Sequence, residues 1–150
     1  MLSSVSRSTP THRLFVYGTL LPGEREHEFM CGAELLGSVR TEPLYTLVEL
    51  STLAALVAGG NTAVVGELYR ISPKHRFQLD VHREHPRLFV REPVRLEGGA
   101  VAEAYFMRMD QVRGFRRVAG GDWKGRFAPR ANAMPENPWR RWDRRQKSRR

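Results

Sequence analysis

Five histidines, one cysteine and sixteen acids are the side chains here that could move protons, attack a carbonyl or hold a metal. The densest group is His82-Arg83-Glu84-His85. Its spacing is not the HExxH pattern that puts two imidazoles on one helix face, and no cysteine or third histidine is close in sequence, so zinc is not expected. His85 could serve as a base, because a free imidazole titrates near about pH 6.5; a histidine before a proline is more often a loop residue. Cys31 could be a nucleophile, but no Cys-His pattern recommends it, and a lone cysteine is usually a small buried apolar residue. His27 stands either at the mouth of a cavity or on a partly exposed helix face. The stretch Leu14–Gly23, LFVYGTLLPG, runs an apolar segment into a Gly-Thr turn. Alone, such a turn reads as structural.

These residues must be positioned by the elements around them. Arg13–Tyr17 is a short β-branched and aromatic run stopped by Gly18, the pattern of a buried strand entering a tight turn. After Pro22-Gly23, Glu24–Cys31 can form a short helix with acids in its first turn. Leu35–Arg40, Leu44–Leu50 and Leu53–Ala58 read as strands, and Gly59-Gly60-Asn61 as a turn. Thr62–Ile71 is the clearest strand, with Gly66 marking a bulge or a close backbone approach. Ser72-Pro73 supplies an N-cap followed by proline at the first helical position. The helix it opens carries Phe77, Leu79, Asp80 and Val81 and stops before Pro86. Leu88–Leu96 and Val101–Met109 form a hairpin around Glu97-Gly98-Gly99. About seven strands and two short helices imply an α+β domain, its mixed β-sheet strongly curved or closed into a barrel.

The length, 150 residues, suits one domain. That domain is expected over residues 13–127, with residues 1–12 a flexible leader and 128–150 an Arg-rich tail. No apolar run approaches the roughly 18–20 residues of a membrane helix, and no signal peptide opens the chain. With one cysteine, no internal disulfide can form, and a reducing cytoplasm is the expected location. The net charge is +9, but it is unevenly placed. Residues 1–110 carry 12 basic and 13 acidic side chains, whereas residues 111–150 carry 13 and 3. The tail, with Trp139 and Trp142, could hold nucleic acid or an acidic partner. The domain itself has no basic excess and no nucleic-acid motif, so the tail is expected to be solubilising.

Four motifs in order change the weight of the Gly-Thr turn: YGTL at Tyr17–Leu20, AVVGELY at Ala63–Tyr69, FQLDVHREHPRLFVR at Phe77–Arg91, and Gly121-Asp122-Trp123. Together they resemble the γ-glutamylcyclotransferase-like (AIG2-like) family, over about Leu14 to Trp123. The resemblance implies a small curved-sheet domain enclosing a cavity and an enzyme that cyclises a γ-glutamyl amide, releasing 5-oxoproline and an amine with no metal or organic cofactor. It also implies that the turn residues Tyr17, Gly18, Thr19, Leu20 and Leu21 bind the glutamyl group through main-chain N–H groups, and that Asp122-Trp123 closes the core by packing. The chemistry suits such a site: amine and carbonyl are tethered in one substrate, so orientation supplies much of the rate, and one carboxylate can move both protons.

The sequence departs from the family at the proton carrier. The glutamate expected three residues after the Asp of Leu79-Asp80 is Arg83, which cannot be a base at neutral pH. Glu84 is the nearest substitute and the expected catalytic residue, provided the backbone slips by one residue to aim it inward. Phe89 stands where relatives often carry a tyrosine. Arg83 and Phe89 are therefore expected beside the ligand. Three outcomes stay open: an enzyme working through Glu84, a non-catalytic small-molecule-binding relative in which Arg83 holds an anion, or an interaction protein using its basic tail.

Overall fold

The computed structural model describes residues 10–127; the expected leader, up to residue 9, and the Arg-rich tail, 128–150, lie outside the described residues. The strands are β1 (His12–Val16), β2 (Glu34–Arg40), β3 (Tyr45–Glu49), β4 (Ala54–Ala58), β5 (Val65–Ile71), β6 (Val90–Arg95), β7 (Val101–Met107) and β8 (Arg116–Arg117), with one α-helix, α1 (Pro73–His82). His12, expected at the end of the leader, already pairs with Ile71.

The strands form one curled mixed sheet in the order β2-β5-β1-β7-β4-β3-β8, with β6 paired to β7 off that path. β7 runs parallel to β1 at Leu14↔Glu103 and parallel to β4 at Leu56↔Phe106 and Val57↔Met107. Its whole length is also antiparallel to β6, from Val90↔Phe106 to Arg95↔Val101. β1 and β4 thus share β7 end to end, and the sheet forks where β1 stops.

Period-two alternation sends neighbouring side chains into two separate cores. Leu14 and Val16 of β1, Ala55 and Val57 of β4, and Tyr105 and Met107 of β7 join Leu79 of α1 in one cluster. Phe15, Ala54, Leu56, Ala104 and Phe106 join Trp123 in the other. Burial of both faces explains why β1, β3 and β4 read as continuous apolar runs. Gly66 marks a close approach: a Cβ there would stand 2.3 Å from the Val16 carbonyl oxygen and 2.7 Å from the Phe15 ring. The bulge lies elsewhere, between Leu35 and Gly37 on β2.

Two local expectations are corrected. Glu24–Cys31 is not an α-helix; only His27–Met30 makes a 3₁₀ turn. Its start is tied across to the preceding turn by the Glu26 N–H on the Thr19 carbonyl at 2.9 Å, and a single turn is too short to nucleate a longer helix. On α1, Phe77 and Val81 face outward, 67% and 61% exposed, while Leu79 is buried. Cys31 is exposed rather than packed in the core. No helix among the described residues is long and apolar enough to cross a membrane.

Candidate functional site

The fork in the sheet is where the Gly-Thr turn sits. β1 delivers Tyr17 in an extended conformation, and Gly18 then turns with φ +67°. A Cβ on Gly18 would lie 2.4 Å from that of Ala54, so glycine is required both for the conformation and for the approach to β4. The Tyr17 hydroxyl donates to the Tyr105 carbonyl at 2.6 Å and accepts from the Leu56 N–H at 3.0 Å. It thereby bridges β7 and β4 inside the fork. Burial pushes this phenol up to about 12, against the opposing influence of Arg83, so it stays a neutral donor. The Tyr17 hydroxyl is therefore committed to the sheet.

Gly18–Leu20 form a buried 3₁₀ turn. The Leu21 N–H donates to the Gly18 carbonyl at 3.1 Å, and the amides of Gly18 and Thr19 have no acceptor among the described residues. Unpaired amides at such a turn are the donors from which a nest for an anion or a developing oxyanion is built. The ring of His27 holds the turn from outside, its Nδ1 donating to the Leu20 carbonyl at 2.8 Å.

The second wall is the end of α1. Ser72 caps its start, its hydroxyl accepting from the His75 N–H at 3.1 Å. Its end is a Schellman motif: Glu84 N–H donates to the Val81 carbonyl at 3.1 Å and His85 N–H to the Asp80 carbonyl at 2.9 Å. Glu84 occupies the left-handed position of that motif, with φ +52°. Its side chain, 49% exposed, leads out to an ion pair with Arg87. The backbone does not slip, and Glu84 is not brought to the turn. The one-residue slip on which the expectation for Glu84 depended is therefore absent.

Arg83, one residue earlier, points inward and is 4% exposed. Its guanidinium lies 4.9 Å from the centroid of the buried Phe89 ring, and its Nη2 lies 3.3 Å from Glu26 Oε1. Its Nε is buried with no hydrogen-bond partner among the described residues. An unsatisfied buried donor of this kind costs on the order of 1–3 kcal/mol.

Glu26 is the carboxylate that the structure supplies. The Thr19 hydroxyl donates to its Oε1, and His82 Nε2 lies 3.0 Å from its Oε2. His82 is itself stacked on Phe29. Burial would raise the Glu26 pKa, but the Thr19 hydroxyl, the Arg83 cation and His82 outweigh it, and the net shift is downward. Glu26 is thus ionised at neutral pH, between the turn and Arg83. In sequence it reads as an acid in the first turn of a helix. The available signal was indirect: an inward arginine at an acid's position demands a counter-charge.

Below this cluster, Asp80 accepts from Arg91 Nε and Nη2 at 2.9 and 3.0 Å and from the Tyr105 hydroxyl at 2.6 Å. Arg91 also reaches Glu103 at 2.9 Å, and its main-chain N–H donates to His85 Nδ1 at 3.0 Å. Burial raises the Asp80 pKa less than Arg91 and Tyr105 lower it, leaving a carboxylate held below its ordinary range. This network fastens the last turn of α1 to β6 and β7 and so fixes where Arg83 points. The members of the His82-Arg83-Glu84-His85 run diverge to Glu26, the site interior, Arg87 and Arg91.

On the other side of the turn, a cleft of about 220 Å³ runs from Thr19 past Glu24, Glu49 and Thr52 to Trp123 and Arg126. Trp123, 3% exposed, donates from Nε1 to Glu24 at 3.1 Å, so the Gly121-Asp122-Trp123 segment closes the domain by packing.

Comparison with known proteins shows what the chain is similar to. The family model described as "Gamma-glutamyl cyclotransferase, AIG2-like" matches residues 14–125. The "Gamma-glutamylcyclotransferase family protein YtfP" of Escherichia coli (strain K12) is 31% identical over 114 residues, 76% of this chain and 97% of the relative. The crystal structure of an AIG2-like protein from Mus musculus superimposes with a TM-score of 0.65 at 21% identity, over 81% of this chain and 98% of that one. The crystal structure of c4763, a uropathogenic E. coli-specific protein, gives a TM-score of 0.67 at 20% identity, over 77% and 94%.

Proposed function

Because the chain belongs to the γ-glutamyl cyclotransferase, AIG2-like family, we propose that it cyclises a γ-glutamyl amide to 5-oxoproline and releases the amine, with Glu26 as the proton carrier. The observation that carries this reading is the Glu26 carboxylate, hydrogen-bonded to Thr19 of the turn and so next to the open amides of Gly18 and Thr19.

The reaction asks for little more. The substrate's α-ammonium gives a proton to Glu26, and the freed amine attacks the γ-carbonyl carbon of the same molecule. The new C–N bond closes a five-membered ring, and the carbonyl oxygen becomes an oxyanion. The open amides of Gly18 and Thr19 stabilise that charge, whereas the Leu21 N–H is spent on the Gly18 carbonyl. As the oxyanion collapses, the bond to the leaving nitrogen breaks and Glu26 returns its proton to it; the ring nitrogen gives up its second proton through the same carboxylate to the departing amine, which leaves as an ammonium. No water is consumed. Phe89 packs against the glutamyl carbons, and the cleft beside Thr19 gives the leaving half its room. A reducing cytoplasm suits the free, exposed Cys31.

Release of 5-oxoproline from a panel of γ-glutamyl amines and amino acids tests this. Turnover is expected, lost by at least about a hundredfold in Glu26→Gln and unchanged in Glu84→Gln. Full activity in Glu26→Gln would remove Glu26 from the mechanism. One observation favours a second reading, binding without chemistry: Arg83 fills the position where the family resemblance places its acid. That reading predicts ligand-induced thermal stabilisation with no 5-oxoproline from any substrate.

A further inference from the structure

We propose that Arg83 is the receptor for a carboxylate of the bound small molecule, and that its contact with Glu26 is a latch which that carboxylate opens. Only the identity of the carboxylate, the α-carboxylate of a γ-glutamyl group, rests on the cyclotransferase reading.

A guanidinium presents five N–H donors in a fixed fork, and its Nε–Nη2 edge matches the two oxygens of a carboxylate side-on. In Arg83 this edge is half occupied. Nη2 has Glu26 Oε1 at 3.3 Å, and Nε, fully buried, has no acceptor among the described residues. The neighbours that could supply one are committed elsewhere. The Tyr17 hydroxyl donates to the Tyr105 carbonyl, and the Tyr105 hydroxyl donates to Asp80. The remaining Glu26 oxygen faces His82. Phe89 backs the guanidinium and fixes its plane. The site thus holds a cation that is buried, oriented and incompletely satisfied, which is the state a binding arginine needs before its ligand arrives.

A carboxylate taking both Nε and Nη2 displaces Glu26 from Arg83 and leaves it with Thr19 and His82. In a γ-glutamyl substrate the α-ammonium is one carbon from that carboxylate, so docking on Arg83 sets the ammonium beside the freed Glu26. The latch therefore ties proton removal to the presence of the correct anion.

Binding of 5-oxoproline is compared with binding of 2-pyrrolidinone, the same ring without the carboxylate, by calorimetry; glutarate serves as a simple anion. Wild-type protein is expected to prefer 5-oxoproline by at least about tenfold. Arg83→Gln should erase the preference and the glutarate affinity, and Arg83→Lys, which keeps charge without the fork, should retain part of both. Glu26→Gln should bind both anions several-fold more tightly, a gain that misfolding cannot produce. Absence of carboxylate affinity in wild-type protein, unchanged affinity in Arg83→Gln, or weaker anion binding in Glu26→Gln would each overturn the assignment. Anion binding lost in Arg83→Gln, with no γ-glutamyl amide turned over by wild type, would keep the receptor and refute the cyclotransferase reading. Turnover with KM unchanged in Arg83→Gln would do the reverse.

Discussion

Replacing Glu84 by glycine should stabilise the protein, and the size of the gain follows from three features of the end of α1. Glu84 sits at φ +52° in a Schellman motif, where a residue bearing a Cβ costs on the order of 1–2 kcal/mol relative to glycine. Glycine returns roughly 0.4–1 kcal/mol of this through its freedom in the unfolded chain. The Glu84–Arg87 pair is lost as well, but with side chains 49% and 84% exposed it is worth at most about 0.5 kcal/mol. The net expectation is a gain of about 0.5 kcal/mol, or roughly 2 °C in Tm for a domain of this size. Glu84→Ala is the sharper comparison, because it also loses the Arg87 contact while keeping the strained backbone. The glycine variant should exceed it by about 1 kcal/mol. Urea denaturation of the three proteins, followed by circular dichroism, measures both differences, and 5-oxoproline release should be the same in all. An alanine variant as stable as the glycine variant, or lost turnover in either, would show that residue 84 does not occupy this motif or does reach the substrate.

Two further outcomes are expected. Tyr17→Phe leaves the Tyr105 carbonyl and the Leu56 N–H unpaired inside the fork, costing about 3 kcal/mol in urea denaturation. Glu26 and Asp80 both carry lowered folded-state pKa values. Their stabilisation is complete above the pKa of about 4 that such acids have when unfolded, and it is lost as pH falls through their folded values. Unfolding titrations between pH 6 and 2 should therefore steepen below about pH 4, and Glu26→Gln should flatten that slope.

Much of the fold was readable because strand periodicity and turn chemistry are local. The run from Arg13 to Tyr17, the glycine of Thr62–Ile71 and the Ser72-Pro73 cap each announce their element within a few residues. The short helix expected at Glu24–Cys31 was not realised, because its acids answer to partners far along the chain: Glu26 to Arg83 and His82, Glu24 to Trp123. The site was legible in part. Arg83 at an acid's position was visible in sequence, and so was the glycine turn. Which neighbour would face inward depended on how α1 ends, and the Schellman motif decides that by giving residue 84 the outward position. Glu26, 57 residues from Arg83 in the chain, could be paired with it only through the curled sheet.

The fork itself has a consequence for how the receptor comes into being. The Gly18 turn is made early in the chain, yet the hydroxyl that props it open is anchored on Tyr105, 88 residues later. A nascent chain that has emerged only to β6 carries the motif without the groove, since β7 is the strand that joins β1 to β4. Ligand affinity should consequently appear all at once during synthesis or refolding, when β7 docks, and its appearance can serve as a clock for the closing step.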